Sequence, residues 1–261
     1  MVCPSGTPDV AECKGDHATK CIPVGSLLSG DASNIKWEDL SKINEQCTQK
    51  VLTIPKINFP YVDEGFVVGC VASEQSKCTV NVAISARATV TEDRTVKCAY
   101  GTGSNAKHHE IRLSPSQNSF TIMCGDKGEV LPTNYSTAFC PILDKNADAK
   151  TECSESYTSV LPAYTEGWWK TDSQNSFVLT IPSDKFPENE AKIMVGCQKM
   201  DKVAEKKEPT PGPTSSVCSV EVTIEGSGAP SSSATVSPGI LAVIVLVAGA
   251  ANAISSKSYI V

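Results

Sequence analysis

From Thr79 to Ser85 the residues Val80, Val82 and Ile84 recur at every second position, and from Ser219 to Ile224 the residues Val220, Val222 and Ile224 do the same. A period of two is that of a strand with one buried face. Val178 to Ile181 and Phe66 to Val68 are runs rich in β-branched and aromatic residues, closed by Pro182 and Gly69, and they also read as strands. Trp37, Leu40 and Ile43 are spaced by three and predict at most a short helix within Asp31 to Ile43. The pattern therefore predicts an all-β chain whose strands pair into sandwiches.

Part of the pattern repeats. Val51-Leu52-Thr53-Ile54-Pro55, followed by Phe59-Pro60 and Phe66-Val67-Val68-Gly69-Cys70, returns as Val178-Leu179-Thr180-Ile181-Pro182, Phe186-Pro187 and Ile193-Met194-Val195-Gly196-Cys197. The offset is a constant 127 residues (178 − 51 and 197 − 70). Outside this block Cys3-Pro4 parallels Cys140-Pro141, and Cys13 parallels Cys153. Trp37 stands roughly where Trp168 and Trp169 do, and Cys78-Thr79-Val80 parallels Cys218-Ser219-Val220.

The second copy also has an upstream part, from Cys98 through Ile122 and Cys124, that the first copy lacks. The expected organisation is a partial, N-terminally truncated sandwich over 1–90, a complete one over 91–225, and a C-terminal signal over 226–261. Arg87 to Val96 reads as a short linker. Lys199 to Ser216, with Pro209, Pro211, Gly212 and Pro213, reads as an exposed hairpin loop.

Composition narrows the setting. The chain has 261 residues, 40% of them hydrophobic, which is enough for one large core or two ordinary ones. Its twelve cysteines form no CxxC pair, and three histidines are too few to build zinc sites around them. Structural disulfides, and hence an oxidising secretory or surface compartment, follow. The chain opens Met-Val-Cys-Pro without an apolar leader, so either a leader has been lost or this start is internal. A net charge of −6 argues against nucleic acid as a partner.

After the last predicted strand come the small residues Gly226, Ser227 and Gly228, the polar spacer Ala229 to Pro238, and an apolar run from Gly239 to Ile254. That order is the signal for attachment of a GPI anchor. The competing reading is a transmembrane helix, but sixteen residues including Asn252 fall short of the roughly 20 needed to span a bilayer.

Six cysteines per β-domain, tandem copies, VLTIP with a following FP, the VGC strand, paired tryptophans and a GPI-type tail together resemble the SRS surface antigens of coccidian parasites such as Toxoplasma. The resemblance covers residues 1 to about 225. It implies sandwiches of cupredoxin-like topology, display on the parasite plasma membrane, and a part in host-cell attachment and immune modulation. It also implies the disulfides Cys98 with Cys218, Cys124 with Cys197 and Cys140 with Cys153, and in the first copy Cys3 with Cys13. Cys21 and Cys47 are additional and are expected to pair with each other, while the resemblance leaves Cys70 and Cys78 without partners in this chain.

No constellation for catalysis stands out. Cupredoxin-like topology raises copper, but His17, His108 and His109 frame no cysteine, and His108-His109-Glu110 is not HExxH. There is no GxSxG elbow, and Gly101-Thr102-Gly103 reads as a turn. No enzyme activity and no cofactor are expected. Trp168-Trp169 could be a recognition patch, but their repetition at Trp37 favours packing. Lys202, Lys206 and Lys207 are interleaved with Asp201, Glu205 and Glu208, which favours a solvated loop over an anionic-glycan site. Asn134-Tyr135-Ser136 is a candidate N-glycosylation sequon. The partners expected are host-cell surface glycans or receptors, the membrane through a GPI anchor, and a second copy in a homodimer. Two function classes stay open, an attachment protein and a coat antigen without a dedicated receptor.

Overall fold

The computed structural model describes residues 3–4, 21–44, 47–73, 76–142, 147–172, 174–200 and 216–228. Among them every regular element is a strand or a single 3-10 turn. In the first repeat β1 spans Cys3–Pro4, β2 Lys36–Asn44, β3 Cys47–Thr53, β4 Glu64–Ser73 and β5 Ser76–Ile84. In the second, β6 spans Val90–Glu92, β7 Thr95–Lys97, β8 His109–Leu113, β9 Ser119–Met123 and β10 Gly128–Leu131. It continues with β11 Ala138–Phe139, β12 Glu155–Ser156, β13 Trp169–Asp172, β14 Ser176–Thr180, β15 Ala191–Lys199 and β16 Cys218–Ile224.

The second repeat is a two-sheet sandwich. One sheet has the order β10-β15-β16-β8, the other β13-β14-β9-β7-β6. Most neighbours are antiparallel, but β16 runs parallel to β8 and β7 parallel to β9. The inward positions follow the period of two: Phe120 and Ile122 on β9, Val220, Val222 and Ile224 on β16, and Ile193 and Val195 on β15 are all at most 1% exposed. They meet in one cluster with Leu113, Phe177, Leu179, Trp169 and Tyr157. Burying a side chain of this size contributes about 1.5–3 kcal/mol.

The first repeat pairs β1-β4-β5 and, separately, β2-β3. The ladders reproduce the sequence repeat position by position. Cys70 faces Cys78 on β4 and β5 as Cys197 faces Cys218 on β15 and β16. Cys3 faces Val67, and Cys140 bridges to Met194, the residue 127 positions beyond Val67 (194 − 67). The core here is smaller, with Val24, Phe66 and Ile84 buried and Leu52, Ile54, Phe59 and Val82 partly so.

One expectation is narrowed and one is corrected. The segment from Asp31 to Ile43 holds no α-helix: Ala32–Asn34 is a 3-10 turn capped by the Asp31 side chain, and the chain then enters β2. The ladder of β2 with β3 skips at Leu40 and again at Ile43, so two of the residues spaced by three sit at β-bulges, where one extra residue is unpaired. The stretch from Arg87 to Val96 is also not a free linker. Val90 to Glu92 pairs with Thr95 to Lys97 as an edge hairpin of the second sandwich. Arg87 itself is held by the first repeat, its guanidinium donating to the carbonyls of Phe59 and Ile57 and to Ser29 Oγ.

Candidate functional site

Six cysteines singled out in the sequence form disulfides in the second repeat: Cys98 with Cys218, Cys124 with Cys197, and Cys140 with Cys153. The first two cross-link the facing sheets at one end of the sandwich. In the first repeat Cys21 is buried, Cys78 is exposed, and Cys3 and Cys47 lie on β1 and β3. Cys13 is outside the described residues, as are His17, Lys202, Lys206, Lys207 and the tail beyond Gly228.

Gly226, Ser227 and Gly228 are described, and they are bound to the fold. The Ser227 N–H donates to the Pro187 carbonyl at 2.6 Å, and the Gly228 N–H donates to that of Glu188 at 3.1 Å. Asn134 is exposed in the turn before β11, its amide donating to the Cys153 carbonyl at 3.3 Å. His108 is spent on contacts within the fold, with Nε2 3.3 Å from Asp148 and Nδ1 3.4 Å from Glu221. Among the described residues no group of three or more His, Cys, Asp or Glu is placed to hold a metal ion. Trp169 is buried beneath Tyr135 and Phe120, whereas Trp37 is exposed, so the packing reading fits the second copy and not the first.

Side chains converge where the two repeats meet. The Tyr100 N–H donates to the Tyr61 carbonyl at 2.6 Å, joining the start of the second sandwich to the end of the first. Asp63 accepts from the Ala86 N–H at 2.7 Å with one oxygen, and from the Thr102 N–H at 2.9 Å and hydroxyl at 2.5 Å with the other. Burial pushes the Asp63 pKa up, but these hydrogen bonds outweigh it and hold the carboxyl below its ordinary range. Val62 beside it enters the core of the second sandwich.

A cleft of about 550 Å³ opens at this junction, between Tyr61 and the loop ends of the second repeat. Arg87 stands over the Tyr61 ring, its guanidinium carbon 4.3 Å from the ring centre, in cation–π geometry. The opposite side is Met123 to Lys127 together with Gln174 and Asn175. Gly125 and Asn175 both have left-handed backbones, at φ 65° and 52°. Glycine adopts that region freely and asparagine tolerates it better than most side chains. The Asn175 amide donates to the carbonyls of Gly125 and Gly128, and the Cys124 N–H donates to the Asn175 carbonyl, so the two turns are stapled together. Below them lie Cys98 and Cys124, each in a disulfide. A second hollow of about 370 Å³ adjoins it, between Val62 to Glu64 and Asp126, Lys127, Lys199 and Met200. Sequence reasoning did not find this site, since its residues are scattered from 61 to 175 and carry no motif.

No curated protein matches the chain. Two SporoSAG structures, one from Toxoplasma gondii and one described as cadmium-bound, align at 14% and 15% identity over 74% of this chain and 71% of theirs. Their TM-scores of 0.30 and 0.28 are too low to bear on the fold. The crystal structure of the bradyzoite-specific antigen BSR4 from Toxoplasma gondii is 31% identical, with a TM-score of 0.64, and covers 80% of this chain and 70% of its own. The family profile of the SRS domain matches residues 1–84 and again 94–224, so the chain belongs to the SRS domain (SAG) family of parasite surface antigens.

Proposed function

We propose that this protein is displayed on the parasite plasma membrane by a GPI anchor and works by binding, attaching the parasite to host cells and modulating the host response. The observation that carries the reading is the junction of the two SRS repeats, where a cleft of mixed polar and apolar lining is built over two disulfides. Concave sites at domain interfaces are favoured places for ligands. The anchor is supported by the order of small residues, polar spacer and apolar run from Gly226 to Ile254.

Two measurements test the proposal. Phosphatidylinositol-specific phospholipase C should release the full chain from intact cells, and mass spectrometry should find the apolar tail gone. A tail still attached on the surface protein rejects the anchor. The oxidised chain should bind host cells saturably, and a complete lack of saturable binding favours a coat antigen without a receptor.

A further inference from the structure

We propose that the junction cleft binds a neutral sugar residue, which rests on the attachment reading above and gives it a site and a ligand class. The cleft's volume of about 550 Å³ lies within the range of small-molecule sites, roughly 300–1,000 Å³. Its walls are fixed before any ligand arrives. Two disulfides underlie it, the Asn175 amide ties the 125–128 turn to the β13–β14 turn, and Arg87 holds the Tyr61 ring. A preformed wall spares the ordering cost of binding.

The lining matches a pyranose. Such a ring has an apolar C–H face and a fringe of hydroxyls, each both donor and acceptor. Tyr61 and Met123 offer apolar surface to the first. Gln174 offers a donor and an acceptor, Asp126 an acceptor and Lys127 a donor to the second. Among the described residues the heads of Asp126, Lys127 and Gln174 make no hydrogen bond or ion pair within the fold, whereas those of Asn175 and Lys97 are committed.

Charge decides between neutral and acidic sugars. Lys97 is ion-paired with Glu92 at 2.6 Å, and Lys127 stands beside Asp126 in the lining. With Lys97 paired, the charges left in the lining are one ammonium and one carboxylate, which sum to zero, so a sulfate or carboxylate would find no net positive charge to offset its desolvation.

The test uses the oxidised full chain on immobilised neutral, sialylated and sulfated oligosaccharides, with host cells in parallel. The wild type should bind neutral sugars and show little salt dependence. The D126A/Q174A double variant should lose at least about tenfold in affinity at an unchanged melting temperature, and Tyr61→Ala should lose as much. Asp184→Ala, in the separate hollow lined by Pro162 and Lys185 to Lys192, should bind normally. Undiminished sugar binding by the double variant overturns the proposal, as does binding of acidic sugars alone. Host cells bound with no sugar bound would point to a protein receptor, so attachment would stand while the sugar site fell. Neutral-sugar binding without cell binding would reverse that result. No binding to either rejects both.

Discussion

Trp37 and Trp169 hold the same position in two copies of one hairpin, yet Trp169 is 6% exposed and Trp37 is 42% exposed. Trp37 lies across the ladder from Leu52 and Trp169 across from Leu179, and these leucines are separated by the repeat offset of 127 (179 − 52). The difference is in what covers them. On its other edge β14 carries β9, whose Phe120 meets the Trp169 ring edge-on at 5.8 Å, while Tyr135 does the same at 5.5 Å. Among the described residues β3 pairs with β2 alone.

Trp169→Ala should therefore lower stability by about 3–5 kcal/mol, the usual cost of deleting a buried aromatic. Trp37→Ala should change it by no more than about 0.5 kcal/mol, as surface substitutions do. Denaturant midpoints at constant m-value measure both. Equal losses would mean that the first tryptophan is as well covered as the second.

Gly128 opens β10 directly beneath Tyr100, whose hydroxyl donates to the Cys124 carbonyl at 2.7 Å. An added Cβ would collide with that hydroxyl and stand 2.7 Å from the Cys124 carbonyl oxygen. Gly128→Ala should cost about 1–3 kcal/mol, as overpacking of a dense core does. Adding Tyr100→Phe should recover part of the loss, which thermal unfolding of the single and double variants will show.

Asp63 makes the junction pH-sensitive. Its folded pKa lies below the ordinary 3.8, so the fold favours the ionised form. Its contribution is full above that ordinary value and is lost as pH falls through the lowered one. Asp63→Ala should destabilise the protein at neutral pH by about 1 kcal/mol for each hydrogen bond lost. The gap between variant and wild-type unfolding midpoints should close in acid. A gap that persists once the carboxyl is fully protonated would show that the carboxylate charge is not what joins the repeats.

Asn134 is exposed, in a turn where the Thr137 and Ala138 N–H groups donate to its carbonyl. Expression through a secretory pathway should therefore yield a glycoform that Asn134→Gln and peptide N-glycosidase both abolish. An unshifted wild type in gel mobility would show that the amide's bond to Cys153 keeps the transferase out.

β16 was legible because one face lies in the core: Val220, Val222 and Ile224 alternate in sequence and are all buried, whereas in the same alternation on β5 Ile84 is buried and Val80 is exposed. The repeat was legible down to register, since Cys70 opposite Cys78 mirrors Cys197 opposite Cys218. Leu40 and Ile43 misled because a bulge adds a residue and turns a period of two into a local spacing of three. The parallel partnership of β16 with β8 was invisible, as alternation reports a face but never the neighbour. The cleft was hidden because chain folding alone brings Tyr61 beside Lys127 and Gln174.

The placement of β16 has a mechanical consequence. Just before Cys218, Ser216 touches the Gly101 carbonyl near the junction, and just after Ile224 the chain is fastened to Pro187 and Glu188. The strand thus runs from the end of the sandwich beside the candidate binding cleft to the end that holds Gly228. A pull between a ligand in that cleft and the chain beyond Gly228 would load β16 along its own axis. Its ladders to β15 and β8 lie on either side and would be strained in shear, many hydrogen bonds sharing the force instead of opening one at a time. At the upper end the Cys98–Cys218 bond carries the load covalently into β7. Such a strand is suited to bearing tension, as a cell tethered through it would demand.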